Sequence, residues 1–247
     1  MLSKKIVKYI QSLSHKKSRE QERAFVAEGP KVVEEILFAG KFTCKILCAT
    51  ADWLRINKSL VDRMADRVQV VGEDDLARCS ALKTPHQVIA VFEWGPEAPP
   101  RVQGRLSLML DDLQDPGNLG TLIRIADWFG VDTIICSEDA VDCFNPKVIQ
   151  ASMGSISRVA VHYASLPGFI REHQPLAVYA AALEGRPLHR PENIMEGILL
   201  IGNESRGLRP GLLELAQERI TIPRYGGAES LNAAVAAGII LSWFKSR

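Results

Sequence analysis

Ile222–Leu241 reads IPRYGGAESLNAAVAAGIIL. Its first residues end a short strand, Gly226 and Gly227 turn the chain, and a cap-like Ser230 opens a helix of small residues. Two more polar turns lie downstream of apolar strands, in Asp112–Gly130 (DLQDPGNLGTLIRIADWFG) and in Leu199–Leu208 (LLIGNESRGL). In an α/β domain, loops at the carboxyl ends of strands are where ligands bind, so three such turns in one region define a candidate site.

Apolar runs predict strands at Leu106–Leu110, Thr133–Cys136, Arg158–His162, Ala177–Ala182, Ile198–Ile201 and Arg219–Ile222. Between them a helix is predicted over about Leu119–Phe129, and another opens at Asn145-Pro146 and breaks at Gly154. Strands alternating with helices predict an α/β fold whose mainly parallel sheet carries helices on both faces. Ahead of it, residues 4–25 mix apolar and basic positions and predict a helix with a cationic face; Lys31–Phe38 predicts a second helix, ended by Gly40. Lys45–Ala49, the end of Asp62–Val71 and Val88–Phe92 predict the strands of a smaller α/β domain. Gly95, Pro96, Pro99 and Pro100 interrupt every pattern, so a domain over 1–94, a linker over 95–104 and a second domain over 105–247 are expected.

The chain has 247 residues, 47% of them hydrophobic, ample for buried cores. A net charge of +1 excludes a polycation that binds nucleic acid indiscriminately, so any basic surface is local. One stands out in the first 25 residues: Lys4, Lys5, Lys8, Lys16, Lys17, Arg19 and Arg23 face only Glu20 and Glu22. No signal peptide is expected, and the longest apolar run, Ala233–Leu241, falls far short of the roughly 20 residues of a spanning helix. A cytoplasmic protein without a membrane partner is the expectation. Cys44, Cys48, Cys79, Cys136 and Cys143 are odd in number and lack CxxC spacing, which predicts buried reduced thiols and no metal.

Each motif has an ordinary reading. Gly117-Asn-Leu-Gly120 is a GxxG, similar to the loop of a KH module, and equally a tight turn at a helix N-terminus. Arg124 lies one and a half turns beyond Asn118 between apolar neighbours, where a cation needs an anion; that anion is Asp111, Asp112 or Asp115, or a phosphate from outside. Taken alone, the internal ion pair is favoured. Glu204 reads as the cap of the helix ahead and Ser230 as the N-cap of the last one. Asn232, an amide at the start of an Ala-rich buried helix, needs hydrogen-bond partners in the fold or in a ligand.

Together these segments resemble the SpoU (TrmH-type) branch of the SPOUT superfamily, S-adenosylmethionine-dependent RNA ribose 2'-O-methyltransferases. DPGNLGTLIRIADWFG resembles the first motif of that family, LLIGNESRGL the second and IPRYGGAESLNAAVAAGIIL the third, with NPKVIQASMGS also similar. REQERAFVAEGPKVVEEIL is similar to the L30e-like substrate-binding domain that many members carry. The resemblance implies a deep trefoil knot near the C-terminus and a homodimer formed through the C-terminal domain, with the small residues of the last helix allowing close backbone approach. It implies a cofactor pocket at Gly202, Asn203, Ile222 and Leu231, with Ala181 standing where many relatives have a hydroxyl side chain. Arg124 is then the residue beside the target nucleotide, surrounded by Asn118, Glu204, Ser230 and Asn232. Lys16, Lys17 and Arg19 are expected to grip RNA. The accessory domain favours rRNA over tRNA, although His86-Gln87 is followed by Val88 where the family often has glycine. A catalytically silent RNA-binding or assembly factor on the same fold is the rival reading.

Overall fold

The computed structural model describes residues 1–189 and 192–245. By packing, the chain forms two compact units, Met1–Ala98 with Asp142–Arg158, and Pro99–Val141 with Val159–Arg247.

In the first unit β1 (Ala24–Glu28), β2 (Thr43–Ala49), β3 (Val68–Val70) and β4 (Val88–Glu93) form a sheet of order β1-β4-β2-β3. β4 runs antiparallel to both β1 and β2, and β3 lies parallel to β2. The single helix expected over 4–25 is instead two helices, Lys4–Ser12 and Lys16–Glu22, followed by β1. Ser3 caps the first by accepting from Ile6 N–H, and Arg23, with φ 48°, ends the second in the left-handed region. Every residue of β1 is buried. A short continuous apolar run has no period that separates a buried strand from a helix, which is why β1 is hidden in the sequence.

Arg19 departs from its expected place on the cationic surface. It is 2% exposed, and its guanidinium donates to Asp142 Oδ2 (Nε, 2.9 Å; Nη2, 2.5 Å) and to the carbonyls of Leu13 (2.9 Å) and Ser14 (2.8 Å). An arginine whose donors are spent inside the protein does not reach a phosphate outside. Lys16 and Lys17 do remain exposed.

Asp142–Arg158, expected within the second domain, packs with this first unit. Phe144 stacks on Trp94 (centroids 4.2 Å apart) and on Phe25 (4.9 Å), in an aromatic cluster completed by Phe42 and Phe92. Asn145 caps the Pro146–Ser152 helix by accepting from Lys147 N–H at 2.9 Å. Gly154, at φ 90°, leaves no space for a side chain, since a Cβ there would lie 2.4 Å from Glu35 Cβ.

The second unit holds β5 (Leu106–Leu110), β6 (Thr133–Ser137), β7 (Ala160–Ala164), β8 (Val178–Pro187), β9 (Gly197–Ile201) and β10 (Glu218–Thr221). Their order is β10-β8-β9-β5-β6-β7 and every pairing is parallel, as the alternation of strands and helices predicts. β5, β6 and β9 are buried along their whole length, the mark of strands covered on both faces. On one face Met109, Ile135, Val178, Ala180, Ile198 and Leu200 pack with Leu166, Phe169 and Ile170 of the Leu166–Glu172 helix and Leu212 of the Pro210–Leu213 helix. The Pro116–Trp128 helix packs on Ala233–Phe244, where Gly238 admits the tip of Ile125. Among the described residues no helix is long and apolar enough to cross a membrane.

All five cysteines are buried. Burial pushes the Cys44 thiol up to about 11 and the Cys48 thiol up to about 12. Both are therefore expected to resist a thiol-specific reagent at pH 8 until the chain is unfolded, as a colorimetric titration of native and denatured protein checks. Because the folded values are raised, the stabilisation is whole below the unfolded-state value of roughly 8.5 and is lost as pH rises through the folded ones. Arg19→Ala strands the Asp142 carboxylate and is expected to cost about 3 kcal/mol, read as a lowered denaturation midpoint.

Candidate active site

All strands of the larger sheet run the same way, so their carboxyl ends share one edge, with Thr221, Ile201, Leu110, Ser137 and Ala164 ending β10, β9, β5, β6 and β7 and Ala180 the last residue of β8 paired with β9. The candidate loops leave from that edge. β8 pairs with β9 only as far as Ala180, and its pairing with β10 jumps from Ala180↔Arg219 to Arg186↔Ile220. Ala181–Gly185 therefore leave the β10 ladder, and the excursion is held where Thr221 Oγ1 donates to the Leu183 carbonyl at 3.1 Å.

After β9 the chain closes a tight turn. Asn203 and Gly207 exchange backbone hydrogen bonds (3.1 and 2.9 Å), and Asn203 Oδ1 accepts from Ser205 N–H (2.9 Å) and Arg206 N–H (3.1 Å). A Cβ on Gly202 would fall 2.3 Å from the carbonyl carbon of Gly207 and 2.4 Å from Leu208 N, so only glycine fits the neck of this turn. Asn203 Nδ2 donates to the Asp112 carbonyl at 2.8 Å, fastening the turn to the loop after β5.

Glu204, at the far side of the turn, does not cap a helix as expected. Its Oε1 accepts from Asn118 Nδ2 at 2.6 Å, and Asn118 Oδ1 in turn accepts from Asn232 Nδ2 at 2.9 Å. Asn232 is also the N-cap of the Ala233–Phe244 helix, its Oδ1 accepting from Ala234 N–H (2.9 Å) and Val235 N–H (3.3 Å). The cap sets the direction of the chain: the helix needs an acceptor, so the Asn232 amide nitrogen points to Asn118, whose own nitrogen then points to the carboxylate. Three residues far apart in sequence thus form one polar line. Ser230, expected as the cap, is exposed two residues earlier.

Asn118 sits in the first turn of the Pro116–Trp128 helix, which Asp115 caps by accepting from Asn118 N–H at 2.8 Å. Arg124 lies about 9 Å further along the axis and some 240° around it, exposed, and in no ion pair with Asp111, Asp112 or Asp115. Each of those carboxylates is engaged elsewhere: Asp111 with Arg209, Asp112 with Arg206, and Asp115 as the cap. The internal pair expected for Arg124 is thereby ruled out, and its charge is open to an external anion. Sequence reading also misses Arg209, although Asp111 at the end of a wholly apolar strand is a signal, since a buried carboxylate demands a cation or several donors.

Beside these hydrogen bonds the loops offer bare backbone and a few apolar side chains. Gly202 keeps a bare backbone at its neck, Ile222 follows β10 half-buried, and Leu231, 47% exposed, immediately precedes Asn232 and so is carried to Glu204 through Asn118. Apolar walls with backbone donors and acceptors are what an adenosine requires.

The SpoU rRNA Methylase family model matches residues 105–242, and a model of the MRM3-like substrate binding domain matches 4–90. A 23S rRNA (guanosine(2553)-2'-O)-methyltransferase of Bacillus subtilis (strain 168) is 34% identical over 95% of this chain and 94% of its own length. An AdoMet-bound rRNA methyltransferase from Sinorhizobium meliloti superposes with a TM-score of 0.85 at 31% identity, covering 99% of this chain and 95% of that one. A TrmH-family protein from Porphyromonas gingivalis gives a TM-score of 0.85 at 37% identity, covering 99% and 98%. The chain that folds around these three loops belongs to the SpoU rRNA methylase family.

Proposed function

We propose that this protein transfers a methyl group from S-adenosylmethionine to a ribose 2'-OH of ribosomal RNA, acting in the cytoplasm as a homodimer. The observation that carries the reading is the line Asn232–Asn118–Glu204, which joins all three motif loops at one edge of the sheet. Bound S-adenosylmethionine supplies an electrophilic methyl on a sulfonium. Gly202, Asn203, Ile222, Leu231 and Ala181 hold it, largely through backbone groups. The trefoil knot belongs to the same proposal, supported by a sheet order in which β9 lies between β8 and β5 while β10 lies outside β8.

A ribose hydroxyl is a weak nucleophile until its proton is drawn off and its oxygen is held in line. Arg124 is always protonated and therefore is not the base. Its fork grips the RNA phosphate and stabilises the emerging alkoxide, while the proton leaves through a phosphate oxygen or water. Glu204 fixes Asn118, and Asn232 fixes it from the other side, so the polar wall beside the hydroxyl does not rotate. Ser230, exposed two residues before Asn232, adds a hydroxyl to the polar surroundings of the ribose.

Residues 1–94 serve as the RNA-binding domain. With Arg19 spent internally, its cationic surface rests on Lys16 and Lys17 together with the exposed Lys4, Lys5 and Lys8.

Mapping ribose methylation across rRNA and tRNA in cells with and without the protein tests the activity. Loss of one rRNA mark is expected; loss of a tRNA mark instead overturns the substrate, and no change together with no heat of S-adenosylmethionine binding leaves a silent RNA-binding factor. Arg124→Lys is expected to lower kcat roughly 100-fold with cofactor affinity unchanged, measured by single-turnover transfer and calorimetry. Replacing Lys16 and Lys17 by Ala is expected to flatten the slope of log affinity against log salt by about 0.7–0.9 for each phosphate that is no longer neutralised, read from RNA titrations at graded salt.

A further inference from the structure

We propose that Arg209 is a positioning residue: strapped by Asp111 and Asp139 across the ends of β5 and β6, it sets the Gly202–Leu208 turn and hence the placement of Glu204. This rests on the reading of that turn as the cofactor loop.

The loop after β5 and the turn after β9 are tied at three places. The Asp112 carbonyl receives Asn203, and the Asp112 carboxylate pairs with Arg206. Asp111 receives Arg209, whose backbone N–H donates to Oδ2 at 2.9 Å while Nε (2.6 Å) and Nη2 both reach Oδ1. These ties are unequal. Arg206 is 73% exposed, so water and salt screen its pair. Asp111 is wholly buried, and both of its oxygens are satisfied by Arg209. A carboxylate there has no solvent to fall back on, which makes the Arg209 tie the one the fold holds hardest.

Geometry then carries the constraint forward. Arg209 follows Leu208 directly, so a backbone N–H locked to Asp111 fixes one arm of the turn, while the β9 ladder fixes the other, with Asp111 N–H donating to the Ile201 carbonyl at 2.9 Å. Between the arms the Asn203–Gly207 bridge leaves the turn little freedom, and Glu204 projects from it to Asn118. The outer edge of the guanidinium reaches Asp139 at 3.2 Å across the end of β6. Asp139 is held below the usual carboxylate range by the Ser137 hydroxyl and by Arg209, and that hydroxyl also accepts from Asp112 N–H at 2.8 Å. A groove of about 480 Å³, lined in part by Ser137, Asp139, Ser165 and Gly211, opens beside Arg209. The strap is thus held by its two carboxylates and not by packing on that side.

The test compares wild type with Arg209→Met and Arg209→Lys by S-adenosylmethionine calorimetry, single-turnover transfer and hydrogen exchange of residues 202–208. Arg209→Met is expected to weaken cofactor binding about tenfold and kcat by up to roughly 100-fold, with KM for RNA unchanged and faster exchange in the turn. Arg209→Lys, which keeps the charge and the backbone N–H but loses the planar fork, is expected to recover part of both. A folded Arg209→Met with affinity, kcat and exchange within twofold of wild type overturns the proposal, as does a variant whose melting point falls while those three stay put. If Arg209→Met does not fold, Asp111→Asn with Arg209→Gln removes both charges and is judged by the same readouts. Wild type that binds no S-adenosylmethionine refutes the reading of the site instead, and the exchange data alone then decide the strap: slower or unchanged exchange in the variant sinks it.

Discussion

A sheet in which every strand points the same way has only one edge from which loops can reach a common ligand. That constraint organises the larger unit. Crossovers bring β8, β9 and β10 side by side, so segments well separated in sequence deliver their loops next to one another, roughly 4.8 Å per strand. The apolar strands do the placing, and the chemistry is left to a few residues beyond their ends. What holds those residues still is hydrogen bonding from loop to loop: Asn203 to Asp112, Asn118 to Glu204, Asn232 to Asn118. None of the three is made within its own element.

In this enzyme of the SpoU family two of those cross-links join two asparagines and one glutamate into a single polar line. Each amide both donates and accepts, so the orientation that the helix cap imposes on Asn232 passes through Asn118 to the Glu204 carboxylate. Arg124 stands apart from it on the exposed side of its helix, in no ion pair with Asp111, Asp112 or Asp115. In the mechanism we propose, the polar line and this cation divide the work of orienting a hydroxyl and neutralising what it becomes.

The larger sheet is legible in the sequence because strands buried on both faces are written as unbroken apolar runs; the run Leu106–Leu110 coincides with β5 to the residue. β1 (AFVAE) is mostly apolar too but adjoins a basic helix, and its run merges with that helix in the sequence pattern. Ser230 and Asn232 are both good capping residues, and only the backbone tells which one precedes the first helical turn. Arg19 and Arg124 each lie opposite to what their sequence neighbours suggest: the one in a basic run is buried, and the one among apolar residues is exposed. A helix turns a side chain by 100° per residue, so neighbours in sequence say little about the face of a single arginine. The three motifs are legible as a family pattern, whereas the Asp111–Arg209 strap spans 98 positions and has no local signature.

The packing of Asp142–Arg158 with the N-terminal strands has a consequence for how the molecule is made. Phe144 and Asp142 arrive well over a hundred residues after Phe25 and Arg19. During vectorial synthesis the emerging N-terminal sheet must wait, with an aromatic surface open and the Arg19 guanidinium without its carboxylate, until that late segment leaves the ribosomal tunnel. At elongation rates of roughly 5–20 residues per second this leaves on the order of 6–24 seconds in which that surface is uncovered.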